Sequence, residues 1–149
     1  MDRAFLVESD FAVGRGVVDA FVADGLPIAV AGWFKRADGT SFQLHVATPN
    51  VQVHGPLAVM RFMDAALDAL APIDIAPSEI VPENTTTSFA ATLGDTLRVT
   101  HGVYRIGWRI LGDAEIEAGV IYVSRPRAEV APSPTPPVFD PARLAAAAG

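Results

Sequence analysis

Two turn signals constrain this chain more than any other feature. Ala37-Asp38-Gly39 and Gly112-Asp113-Ala114 each lie between runs in which apolar residues alternate with others, the pattern of a β-hairpin. A one-residue change of register moves every side chain of a strand to the opposite face, so the loop decides which residues are buried. For the first hairpin, residues 28–35 and 40–47, a three-residue loop with Gly39 in the left-handed region pairs Phe34 with Phe42 and Val30 with Val46. Ile28, Val30, Phe34, Phe42, Leu44 and Val46 then share one face. A two-residue loop puts Phe34 opposite Gln43 and divides the apolar set between both faces. The single-faced register is therefore expected. Its other face carries Ala29, Ala31, Trp33, Lys35, Gln43, His45 and Ala47.

The second hairpin, residues 97–111 and 115–125, is read the same way. A three-residue loop pairs Ile110 with Ile116, Trp108 with Ala118, Ile106 with Val120 and Tyr104 with Tyr122. It also sets Arg109 opposite Glu117, and cross-strand pairs of this kind contribute roughly 0.2–1 kcal/mol each.

Helical periodicity appears twice. In residues 8–24, Phe11, Val18, Phe21 and Val22 recur at spacings of three, four and seven. Ser9 or Asp10 suits the start of that helix, Gly25 its end, and Pro27 follows just beyond. A second helix is expected over residues 56–70, with Pro56 in the first position and Leu57, Met60, Met63, Leu67 and Leu70 as its buried stripe. Residues 73–81 read as a weak strand broken by Pro77, and 83–94 as a polar stretch with a turn of helix. The fold class is thus α+β in the order αββα(β)ββ. One mostly antiparallel sheet of four to five strands is expected, with two helices packed on one face.

Composition divides the chain at residue 125. Six of the 12 prolines fall in residues 126–149, a density that favours an extended or disordered tail over a packed element. The domain boundaries read as 1–125, a single α+β domain, and 126–149, the tail. Phe139 and Leu144 are the apolar residues by which such a tail would dock as an arm. The formal charge of −6 argues against a nucleic-acid groove, which needs clustered positive charge. Lys35 is the single lysine. The stretch from Gly39 to Met60 lacks Asp, Glu, Lys and Arg. It holds Gln43, His45, Asn50, Gln52, His54 and two prolines, so no membrane span is expected. Residues 1–8 lack the long apolar core of a signal peptide. Zero cysteines remove disulfides, thiolate metal sites and cysteine nucleophiles, and fit a reducing, cytoplasmic setting.

Several segments recur together as a string: Gly25-Leu26-Pro27-Ile28, Ala31-Gly32-Trp33, residues 46–51 (V-A-T-P-N-V), Gly55-Pro56, Ile116-Glu117-Ala118 and Ile121-Tyr122. Over about residues 9–125 this string resembles a family of uncharacterised bacterial proteins with a similar G-[FL]-P-[VI], A-x-W, [IV]-A-T-P-x-V, G-P and I-E-x-A-x-I-Y order. The chain departs from it at Gly32, where members carry a larger, aromatic-rich strand. The resemblance implies no activity. The element order is also similar to that of roadblock-like and secretion-chaperone-like modules, which pair as dimers; that is an analogy of fold alone.

No pattern in the chain specifies catalysis. His45, His54 and His101 are the only histidines. None lies in HExxH, and no metal site is expected. There is no GxSxG or SxxK for a nucleophile. Gly14-Arg15-Gly16 lies inside a helix with no preceding strand, so no phosphate loop and no cofactor are expected. Asp64 and Asp68 lie one helical turn apart, where solvation is the default. What remains is Trp33 with Lys35, Gln43 and His45 beside small alanines, a shelf suited to a partner or a second copy. The expected function is a non-enzymatic protein-interaction or self-association module. The alternative is a small-molecule-binding protein or enzyme with a pocket near Trp33, His45 and Tyr104. Phe139 completes the candidate binding residues.

Overall fold

The computed structural model describes residues 3–142, and the architecture is α+β. In chain order come α1 (Glu8–Ala23), β1 (Val30–Arg36), β2 (Gln43–Ala47), α2 (Asn50–His54) and α3 (Pro56–Leu70). These are followed by β3 (Ile80–Glu83), α4 (Ser88–Thr96), β4 (Tyr104–Ile106), β5 (Arg109–Leu111) and β6 (Ala114–Ser124). The six strands make one mixed sheet, ordered β3-β2-β1-β6-β4, with β5 also on β6. β2 and β3 run parallel, and α2 with α3 supply the long crossover that a parallel neighbour requires.

The helix ends follow from local chemistry. The Val7 N–H donates to Asp10 Oδ2 at 2.8 Å, which caps the start of α1. At its end Gly25 sits at φ 91°. Its N–H reaches Val22 O, and the Leu26 N–H reaches Phe21 O, both at 3.0 Å. These two bonds are a Schellman motif, and they satisfy carbonyls the helix would otherwise leave open. Pro56 occupies the first turn of α3. Thr87 caps α4, its hydroxyl accepting from the Ala90 N–H.

The sheet is buried on both faces, and this corrects both expected registers. β1 pairs Phe34 with Gln43, Trp33 with Leu44, Gly32 with His45 and Val30 with Ala47. The apolar set is therefore divided between two cores. Trp33, Leu44, Val46, Val120 and Tyr122 pack under α1 and α3. Val30, Phe34, Ala47, Ile116 and Ile121 pack with Phe89 and Leu93 of α4. The helix α4 on the second face removes the premise on which the single-faced register stood. The connection is also longer than three residues. The Phe42 N–H leaves the β2 ladder and donates to Arg3 O at 2.6 Å, and Gly39 does not take a positive φ.

In the second hairpin the turn holds two residues. Leu111 pairs with Ala114, Ile110 with Glu115 and Arg109 with Ile116. Gly112 takes the first turn position at φ 63°, as a two-residue hairpin turn allows. Further out, Tyr104 pairs with Ile121 rather than Tyr122, and Ile106 with Gly119 rather than Val120. Gly107 and Trp108 separate β4 from β5. Glu117 lies 3.2 Å from Lys35, its ion-pair partner in place of Arg109. The expected stripe of α3 is turned as well. Leu57 and Met60 are exposed, whereas Val59, Phe62, Met63, Ala66 and Leu67 are buried. Val22 of α1 is likewise exposed.

Glycines mark the closest approaches. A Cβ on Gly14 would stand 2.4 Å from Tyr122 Oη and 2.5 Å from Trp33 Nε1, so α1 rests directly on the sheet. Gly16, two residues on, has open space around it. Gly14→Ala is expected to destabilise the protein by about 1–3 kcal/mol through overpacking. Gly16→Ala is expected to stabilise it by up to about 1 kcal/mol through helix propensity. Urea denaturation of both variants checks this pair of opposite signs, and two shifts of the same sign would contradict the close contact.

Candidate functional site

The candidate residues do not form one site. Trp33 and His45 lie on opposite faces of the sheet, because the register sets Trp33 opposite Leu44 and His45 opposite Gly32. Both are buried, at 0% and 4% exposure, so neither lines an open shelf or a shared pocket. Tyr104 lies in the same cross-strand row as His45, through Gly32 and Ile121. Three strand spacings of ~4.8 Å separate them. Gln43 is exposed at the start of β2, and Lys35 is half-buried.

Around Trp33 the structure builds a sealed layer. The Arg3 guanidinium carbon stands 4.9 Å from the centre of the Trp33 ring. Arg3 is itself buried and is held by Asp10, Glu79 and the Asp74 carbonyl. Tyr122 donates its hydroxyl to Phe11 O at 2.8 Å, beneath the Arg15 guanidinium. Among the described residues, buried Trp33 Nε1 meets no hydrogen-bond partner in good geometry, although it lies close enough to Tyr122 to oppose the effect of burial on that hydroxyl. Burial pushes the Tyr122 hydroxyl up to about 12.

On the opposite face His45 Nδ1 lies 2.9 Å from Glu83 Oε1. The Thr87 hydroxyl donates to Glu83 Oε2 at 2.8 Å. The His45 ring sits between Phe34 and Phe89, with centroids 5.6 Å and 5.5 Å away. Thr87 thus bonds the Glu83 carboxylate and not the His45 imidazole. The network ties the end of β3 and the cap of α4 to β2. Sequence reasoning missed Glu83, Thr87 and Arg3. A signal for Thr87 existed, a hydroxyl residue directly ahead of the apolar Phe89, Ala90 and Leu93.

A third arrangement lies at the β4–β5 edge. Val103, Tyr104, Trp108 and Ile110 are 46%, 47%, 61% and 62% exposed. Trp108 Nε1 donates to Glu115 at 3.1 Å. Arg105 stacks on Phe11, its guanidinium carbon 4.7 Å from the ring centre. The exposed Phe5 ring lies 5.8 Å from Lys35 Nζ.

Phe139 reaches the α1–α3 core and meets Phe62 edge-on, with centroids 6.1 Å apart. Leu144 lies outside the described residues. His54 and His101 stand apart from His45, and among the described residues no three His, Asp or Glu side chains gather as a metal-binding group. No helix among the described residues is long and apolar enough to cross a membrane. Comparison with known protein families, curated proteins and solved structures finds no match to this chain.

The Tyr122 shift has a pH signature. The folded state holds the proton up to about 12, whereas an unfolded tyrosine releases it near 10.0. The unfolded state therefore binds fewer protons in that window, and stability falls as pH rises through it. Tyr122→Phe is expected to lose about 1 kcal/mol at neutral pH with the bond to Phe11 and to lack this alkaline fall. Denaturation midpoints of both proteins across the window check it. Parallel pH profiles would contradict the assignment.

Proposed function

We propose that this protein is an interaction module that self-associates through the β4–β5 edge of its sheet. One observation carries the reading: among the described residues, four large apolar side chains, Val103, Tyr104, Trp108 and Ile110, stand exposed along one edge of the sheet. An edge strand offers unpaired backbone donors and acceptors, and proteins usually blunt or cover such edges. Trp, Tyr and Arg are enriched where partners bind tightly, and Arg105 and Arg109 stand on these same strands.

A second copy is the occupant that charge favours. Arg105 and Arg109 lie on the edge strands, and Glu115 and Glu117 lie on the adjacent β6. A two-fold pairing brings the same patch against itself, so a surface with both signs of charge can be self-complementary. The break at Gly107-Trp108 presents the indole beside the edge instead of within a continuous ladder.

The test is the state of association. Sedimentation of the full chain at micromolar concentration is expected to give a dimer. Trp108→Ala combined with Ile110→Ser is expected to give a monomer with an unchanged circular dichroism spectrum. A wild-type monomer at every concentration, or a dimer unaffected by the double substitution, would overturn the reading.

A further inference from the structure

The proline-rich segment after β6 lies on the domain as a peptide lies in a binding groove. Ser133 is its polar centre, flanked by Pro132 and Pro134, neither of which has an N–H to satisfy. The Ser133 N–H donates to Asn50 Oδ1 at 2.9 Å, and Asn50 Nδ2 donates to Ser133 Oγ at 3.2 Å. His54 Nε2 lies 2.6 Å from Ser133 O. A carbonyl only accepts, so His54 carries its proton on Nε2 here. Both main-chain groups of Ser133 are thus held by side chains of α2, and Asn50 is 1% exposed. Pro136 and Pro137 then line a small cavity together with Leu26, Ala58, Val59 and Phe62. Phe139 enters the core beside Phe62, and the Asp140 N–H donates to Asp24 Oδ2 at 3.2 Å.

The segment forms no strand or helix with the body between Val130 and Asp140. Pro132, Pro134, Thr135, Pro136 and Val138 are exposed, and burial within it is concentrated at Val130 and Phe139. The contacts are therefore those of a ligand: a main-chain clamp, a ring slot and one aromatic anchor. We infer that the groove between the α1–β1 connection and α2–α3 is a recognition site for proline-rich extended peptides. The chain's own segment is its cis occupant. A partner polypeptide with a Pro-Ser-Pro core followed by Pro-Pro-x-Phe has the chemistry to replace it. The covalent link gives the cis segment a millimolar-scale effective concentration. A free peptide consequently competes well only when the cis anchor is weakened.

The experiment measures fluorescence anisotropy of a labelled peptide of residues 130–142 against full-length chains. Phe139→Ala is expected to bind it at least ~10-fold more tightly than wild type, since removing the anchor lowers the cis competition. Adding Asn50→Ala to that chain is expected to abolish saturable binding. A peptide with glycine at both Pro136 and Pro137 is expected to bind more weakly. If Phe139→Ala perturbs the fold by circular dichroism, Pro136→Gly with Pro137→Gly in the full chain loosens the segment without touching the core. The same order of affinities is expected there. No saturable binding to a folded, tail-weakened chain, or binding that ignores Asn50, would overturn the inference.

Discussion

The fold depends on the burial of β1 on both of its faces. Trp33 seals one side under α1 and α3, and Phe34 seals the other against Phe89 of α4. The fit is close enough to need glycines. A Cβ on Gly119 would stand 2.8 Å from the Phe34 ring, and one on Gly32 would stand 2.6 Å from Val120 O. Burying a large apolar side chain contributes about 1.5–3 kcal/mol. An exposed ion pair contributes about 0–1 kcal/mol. Packing therefore sets the strand registers, and charged side chains pair with whatever the register brings near. Glu117 finds Lys35 by that route.

Much of the architecture is legible in the residue pattern. α1 and α3 follow from apolar spacing, Gly25 and Pro56, and both hairpins exist where Gly and Asp punctuate alternating runs. The registers are not legible, for a physical reason. Trp33 and Phe34 in β1, and Val120, Ile121, Tyr122 and Val123 in β6, are apolar at odd and even positions alike, which is what a strand buried on both faces looks like. Alternation then carries no information about which side faces in. α4 is legible only as a turn of helix within residues 83–94, shorter than the Ser88–Thr96 helix that forms. Its apolar residues Phe89, Ala90 and Leu93 follow a polar run, so its short helix gives little signal until the second face needs a cover.

The site residues show the same division. Trp33 and His45 stand out in the sequence, but the structure spends both on packing: Trp33 under Arg3, His45 between two phenylalanines and Glu83. The partners that hold them are distant in sequence, as with Arg3 and Trp33 or His45 and Glu83, and no local pattern announces them. The exposed chemistry moves to the periphery, to the β4–β5 edge and to the groove that holds Ser133. Phe139 stands out as an aromatic in a proline-rich stretch, but its place beside Phe62 follows from α3 and not from the tail.

Cross-strand nuclear Overhauser contacts measure the two-faced burial of β1 most directly. Backbone contacts linking Gly32 to His45 and Phe34 to Gln43, with the Trp33 indole against Gly14 and Tyr122, are the expected result. Contacts linking Phe34 to Phe42 and Ala31 to His45, with the Trp33 indole open to solvent, would contradict the account.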